Sequence, residues 1–91
     1  MELNKPERGF AVAEFIDRYG AVCSIQKSSL ATEDAIWFGV DDANPRIMTS
    51  GGWAKFEIPK EVLLSTRMHL TQDMVNNLIP ILQKFVETGE L

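Results

Sequence analysis

The chain has only one cysteine, Cys23, and one histidine, His69, among its 91 residues. A single cysteine excludes an internal disulfide and any Cys-x-x-Cys zinc or redox motif. One cysteine with one histidine is also too few for a zinc site within one chain. Neither residue is surrounded by a sequence motif typical of a catalytic cysteine–histidine pair. Cys23 alternates with Ala21 and Ile25, which favours a buried structural thiol.

Long apolar runs, basic runs and phosphate-binding glycine loops are also missing. Nothing approaches the roughly 18 apolar residues of a membrane span, and the charged N-terminus lacks the apolar run of a signal peptide. We therefore expect a cytoplasmic protein. The net charge is −4, and without a basic run this argues against binding of duplex nucleic acid through its phosphates. Gly51-Gly52 stands alone and indicates a turn. We expect no enzyme and no cofactor.

What the chain does contain is the composition of an ordinary globular domain, 45% hydrophobic and 24% charged. We expect a flexible lead-in over residues 1–9 and a single domain over residues 10–91. A chain of this length buries only about 60–65% of the surface that its unfolded form exposes. Because the core is thin, we expect a homo-oligomer in which a partner subunit supplies the missing burial.

The first half of the domain indicates three strands. Residues 10–17 and 21–27 flank turn-forming residues that end in Gly20, which predicts a β-hairpin. Ala35–Val40 is apolar on both faces, so we expect this strand in the middle of a sheet or at an interface.

The second half of the domain begins with a predicted loop over residues 41–52, which contains Asn44-Pro45 and Gly51-Gly52. Residues 53–58 alternate between apolar and other side chains and predict a strand. Residues 66–70 predict a short last strand.

The C-terminal segment predicts a helix. Thr71 suits the N-cap, Asp73 lies in the first turn, and Gly89 suits the position after the last turn. Between them the apolar residues recur at helical spacing: Met74, Val75, Leu78, Ile79, Leu82, Phe85 and Val86. Pro80 removes one amide donor from this helix, so we expect a bend. The fold class is α+β, a small antiparallel sheet of four to five strands covered by one C-terminal helix.

The connection that follows residues 21–27 is dense in hydrogen-bonding groups. Lys27, Ser28 and Ser29 offer an ammonium group, two hydroxyls and backbone amides, which suit phosphate or carboxylate oxygens. Trp37 and Trp53 offer stacking surfaces. The candidate ligand-binding residues are Gln26, Lys27, Ser28, Ser29, Thr32, Trp37, Arg46, Arg67 and His69. The alternative is that the two serines only turn the chain and that Trp37 belongs to the core.

Two acidic pairs, Glu33-Asp34 and Asp41-Asp42, flank the apolar third strand. Their simpler interpretation is that they solvate the strand ends and oppose edge aggregation, rather than bind a metal.

Four segments of the chain stand out together: residues 23–37 (CSIQKSSLATEDAIW), 41–46 (DDANPR), 66–71 (TRMHLT) and 82–89 (LQKFVETG). They resemble segments of small accessory proteins encoded by tailed bacteriophages, and the likeness covers most of the chain from Phe10 onward. That family has no assigned motif, so no residue role carries over. The resemblance implies a setting inside a bacterial cell, where small non-enzymatic phage proteins block host defences.

Three functions fit these observations. The first is an oligomer that sequesters a small anionic signal such as a cyclic nucleotide. The second is an inhibitor that covers a host defence protein with an acidic surface around Glu33, Asp34, Asp41 and Asp42. The third is a minor structural or assembly protein, which needs only self-association.

Overall fold

The computed structural model describes residues 1–4 and 9–91. Within them lie seven strands and one helix: β1 (Leu3–Asn4), β2 (Val12–Ile16), β3 (Val22–Lys27), β4 (Ala35–Val40), β5 (Arg46–Thr49), β6 (Gly52–Lys55), β7 (Arg67–Thr71) and α1 (Gln72–Thr88). Five strands form one antiparallel sheet in the order β1-β2-β3-β4-β7, and β5 and β6 form a separate hairpin. The predicted α+β class, with an antiparallel sheet and one C-terminal helix, is confirmed.

The hairpin of β2 and β3 is closed by an aspartate turn. One carboxylate oxygen of Asp17 accepts hydrogen bonds from the amides of Tyr19 and Ala21, both at 2.9 Å. Gly20 takes a φ of 88° in this turn, which is accessible to glycine at little cost because it has no Cβ. The following strand β4 pairs with both β3 and β7. Its predicted position inside the sheet is therefore confirmed.

Two parts of the chain differ from the prediction. The predicted loop over residues 41–52 contains β5, and the strand predicted over residues 53–58 ends at Lys55. The hydroxyl of Thr49 donates to the carbonyl of Gly52 at 2.7 Å, which closes the turn of this hairpin. In the predicted lead-in, Leu3–Asn4 pairs with β2 at the edge of the sheet, while residues 5–8 lie outside the described residues.

The register of the main sheet separates its side chains onto two faces, because directly paired residues share a face and neighbours along a strand alternate. One face, here called the apolar face, carries Ala13, Phe15, Cys23, Ile25, Ile36, Phe38, Val40, Met68 and Leu70. The opposite, polar face carries Glu14, Ser24, Gln26, Trp37, Arg67 and His69. The rings of Phe15 and Phe38 meet edge-on at 6.1 Å on the apolar face.

The helix begins and ends where its capping residues predict. The Thr71 hydroxyl accepts from the Met74 amide at 3.3 Å. Gly89 has a φ of 76°, and its amide donates to the Phe85 carbonyl at 2.7 Å. Pro80 lies inside the helix, where a proline costs about 3 kcal/mol relative to alanine. The remaining helix contacts must offset that cost.

The core of the single chain is very thin. Among the described residues, only Ala13, Cys23 and Ala35 are buried apolar residues, and none of the residues of α1 is buried. The helix packs mainly against β7, the strand that it directly follows. The radius of gyration is 16.5 Å, whereas a compact domain of this length has about 12 Å. The apolar face is therefore only partly covered: most of its side chains are half-buried, and Met68 is exposed. No helix within the described residues combines the length and hydropathy of a membrane span.

Candidate ligand-binding site

The polar face is centred on two stacked aromatic rings. Trp37 on β4 lies directly opposite His69 on β7, and their rings are nearly parallel, with centroids 4.0 Å apart. The Nε2 atom of His69 is 2.8 Å from the hydroxyl of Ser28. That hydroxyl also accepts from the Leu30 amide at 3.1 Å. Ser28 is buried, so the histidine ring is held at both its edge and its face.

Arg67 extends across the same face from β7 to β3. Its Nη1 atom donates to the side-chain oxygen of Gln26 at 2.8 Å and, at 3.4 Å, to the hydroxyl of Ser24. The guanidinium carbon lies 5.6 Å from the centroid of the Trp37 ring, within the range of a cation–π contact. The Ser24 hydroxyl donates onward to a carboxylate oxygen of Asp41 at 2.6 Å. Strands β3, β4 and β7 are thereby joined by one side-chain network.

Gly39 is the reason that Arg67 can cross β4. It is directly opposite Arg67 in the register and has a φ of 150°. A Cβ at this position would lie 2.7 Å from the Thr66 carbonyl oxygen and 2.9 Å from the Arg67 Cα. The absence of a side chain therefore permits both the close approach of the two backbones and the path of the guanidinium group.

A shallow pocket of about 260 Å³ opens on this face. It is lined by Val12, Glu14, Ser24, Gln26, Asp41 and Arg67. Among the described residues, Arg67 forms no ion pair: its partners at hydrogen-bond distance are neutral. No carboxylate of the described residues is within ion-pair distance of its guanidinium group, although the carboxylates of Glu14 and Asp41 also line the pocket.

Ser28 and His69 are as close as a catalytic serine and its general base, but they lack the surroundings that such a pair needs. The serine is buried and its oxygen already accepts from a backbone amide. No carboxylate bonds to His69 within the described residues, so nothing orients the imidazole as the third member of a triad does. The arrangement instead fixes the ring as a stacking surface.

Five of the candidate residues predicted from the sequence come together here. They are Gln26, Ser28, Trp37, Arg67 and His69. Three others lie elsewhere: Ser29 and Thr32 are exposed in the connection between β3 and β4, and Arg46 begins the separate hairpin.

Lys27 lies on the opposite side of the sheet from Arg67. It is paired with Ile36 in the register, on the apolar face. Its ammonium group forms a salt bridge with Asp34 at 2.7 Å, and this hydrogen bond and charge lower the pKa of the Asp34 carboxyl. Within one chain, Lys27 therefore does not share a pocket with Arg67.

The sequence interpretation missed four residues of the site: Glu14, Ser24, Gly39 and Asp41. The alternation of β3 places Ser24 beside Gln26 and was a usable signal. Glu14 pairs with Ser24 across the predicted hairpin of β2 and β3, so that hairpin was a usable signal as well. Gly39 and Asp41 reach the site through the pairing of β4 with β3 and β7, for which one sequence carries no direct signal.

Cys23 takes no part in this site because it lies on the apolar face. Burial, with the nearby charges of Asp17 and Asp41, raises the pKa of its thiol. The described residues also contain no group of three or more metal-binding side chains. No family model, curated protein or solved structure matches the chain.

Proposed function

We propose that the chain is a non-enzymatic phage accessory protein that sequesters a small anionic aromatic ligand, of the cyclic-nucleotide type, on the polar face of its sheet. The setting, in the cytoplasm of a bacterial host, follows from the resemblance of the four sequence segments. The observation that carries the ligand class is the placement of Arg67 beside the stacked pair of Trp37 and His69.

Arg67 supports the anionic half of the ligand. A guanidinium group carries five N–H donors, and the bonds to Gln26 and Ser24 both use Nη1. The remaining nitrogens keep donors in the planar fork that suits two oxygens of one phosphate. Since its two hydrogen-bond partners are neutral, the guanidinium group is free to form an ion pair with a bound phosphate.

The stacked rings support the aromatic half of the ligand. A base that stacks on an aromatic side chain gains about 1–3 kcal/mol, with little dependence on its identity. His69 remains exposed although it stacks on Trp37, so one aromatic surface is open to solvent. Its bond to Ser28 fixes the ring before a ligand arrives, which reduces the entropy lost on binding.

The two carboxylates of the pocket limit the range of ligands further. Glu14 and Asp41 would repel a second phosphate but accept hydrogen bonds from hydroxyl or amino groups. A ribose with free hydroxyls, or a base with an exocyclic amine, provides such donors. We therefore expect a ligand with few phosphates per aromatic ring, rather than an inorganic phosphate or a triphosphate.

The experiment is a thermal-shift screen of the full chain against mono-, di-, tri- and cyclic nucleotides, followed by calorimetric titration. We expect Arg67→Ala to weaken binding by about 10- to 150-fold, because a charge-assisted contact contributes about 1.5–3 kcal/mol. Lys27→Ala is the matched control, since it removes a positive charge from the opposite face. Retention of full affinity in Arg67→Ala, or the absence of any shift at millimolar nucleotide, would reject the proposal.

A further inference from the structure

The chain exposes far more surface than a monomer of its size. Its solvent-accessible area is 7914 Å², whereas a folded monomer of 10.2 kDa exposes about 5,300 Å². The excess is roughly 2,600 Å², and a standard protein–protein interface needs only about 800 Å² from each partner. The surplus is thus large enough for an obligate interface between subunits.

The helix α1 contributes a continuous part of this surplus. A broad stripe of half-exposed apolar side chains runs along it: Met74, Leu78, Ile79, Leu82, Phe85 and Val86. With a full exposure of about 200 Å² for a large apolar residue, six half-exposed residues present on the order of 600 Å². That already reaches the upper limit for the largest apolar patch on a typical monomer, about 300–600 Å².

The position of Pro80 indicates which side of α1 faces water. At 100° per residue it lies opposite the centre of the apolar stripe, beside Asn76 and Lys84. A proline leaves the carbonyl four residues earlier without its amide partner. That carbonyl, of Asn76, lies away from the centre of the apolar stripe, at the rim of the groove between α1 and the sheet. Helices that wrap a core are convex toward solvent, so the position of Pro80 marks the stripe as the buried side.

The sheet of the same chain is poorly placed to cover this stripe. β7 ends at Thr71 and α1 starts at Gln72, so no linker lets the helix fold back over the apolar face. Between the helix and that face lies an open groove of about 700 Å³. Its apolar lining residues include Ile36 and Leu70 from the sheet and Val75 and Ile79 from the helix. Polar residues, among them the ion pair of Lys27 and Asp34, form its rim.

We propose that α1 is an assembly helix: the α1 helix of a second copy of this chain occupies the groove between α1 and the apolar face. The arrangement is reciprocal, as in a two-fold symmetric pair, so one contact covers the helix stripe and the apolar face of both copies. A 17-residue helix with an internal proline and no buried residue is unstable alone in water. The partner therefore completes the fold of α1. This proposal concerns the apolar face and is independent of the ligand site on the polar face.

The test begins with the unaltered full chain. Light scattering should give at least twice the chain mass of 10.2 kDa, and the melting temperature should rise with protein concentration because assembly is coupled to folding. Leu82→Glu places a charge in the centre of the stripe and should lower the mass or abolish folding. Lys84→Glu places the same side chain on the opposite side of the helix, beside Pro80, and should leave the mass unchanged.

A second measurement addresses the helix-to-helix contact without relying on a destabilised variant. Ile79→Cys chains, whose new thiol lies in the groove, should give covalent dimers with a flexible bifunctional thiol reagent, while Asn77→Cys chains, with the thiol outside the stripe, should not. A monomeric wild type with a concentration-independent melting temperature would overturn the proposal. So would an oligomer that Leu82→Glu leaves intact, or one in which Ile79→Cys chains fail to give covalent dimers with that reagent.

Discussion

Replacing Gly39 by alanine tests whether β4 must lack a side chain for Arg67 to cross it. The added Cβ would lie 2.7 Å from the Thr66 carbonyl oxygen and 2.9 Å from the Arg67 Cα. Both neighbours are backbone atoms, so relief requires that β4 and β7 move apart. The φ of 150° adds strain for any residue with a Cβ.

The size of the effect follows from these two terms. Overpacking against fixed neighbours costs about 1–3 kcal/mol, and a residue in a sparsely populated backbone region costs about 1–3 kcal/mol. We therefore expect Gly39→Ala to lower the free energy of unfolding by about 2–6 kcal/mol. A domain with a thin core is only marginally stable, so such a loss would unfold a large fraction of the protein.

Gly20→Ala is the matched control for this experiment. Gly20 also has a positive φ, 88°, but no heavy atom of the described residues lies within 4 Å of its added Cβ. Urea unfolding of both variants at one protein concentration separates the clash from the backbone strain, provided the m-values agree. Gly39→Ala should be less stable than Gly20→Ala by about 1–3 kcal/mol. Equal losses in the two variants would refute the role of the close approach between β4 and β7.

Three further changes have defined outcomes. Lys27→Met should raise the pKa of Asp34 toward its ordinary value, measured by NMR titration. Because the pKa of Asp34 is lowered by Lys27 in the folded chain, the stabilisation is present at neutral pH and is lost as the pH falls through that lowered value. The Cys23 thiol should resist a thiol reagent at neutral pH in the folded protein and react quickly in urea, because burial raises its pKa; fast reaction in the folded chain would contradict its placement. Thr71→Ala should cost about 0.5–2 kcal/mol through loss of the helix N-cap, whereas an unchanged melting temperature would show that the cap contributes nothing.

The parts of the fold that the sequence predicts well are those with strong local signals. The caps at Thr71 and Gly89 and the apolar run Ala35–Val40 give the bounds of the helix and of β4 to within a residue. The strand β5 was missed because Asn44-Pro45 and the glycine pair indicate turns on both sides of it. Four residues between two turn signals are too few to establish a period of two.

The sequence indicates the residue types of the candidate site better than it indicates which of them lie close together. Trp37, Arg67 and His69 were chosen for a stacking surface and phosphate donors, and the register of β4 and β7 brings them together. Lys27 was grouped with them because it adjoins Ser28 in sequence. The alternation of β3 that puts Cys23 and Ile25 on one face also puts Lys27 there. The face on which a strand residue lies is therefore a better guide to its neighbours than its position next to Ser28 in the sequence.

The division of the sheet into two faces gives each proposal its own set of residues. An open sheet in a small chain has two sides to satisfy, and its one helix cannot cover either by itself. In the proposed assembly, a second copy of the chain buries the apolar side with its own apolar surface. The polar side is bonded internally from Ser24 through Arg67 to Trp37, and these residues form the proposed ligand site. Because the hydrogen bonds of Arg67 are all on the polar face, Arg67→Ala should lower ligand affinity and leave the mass of the assembly unchanged.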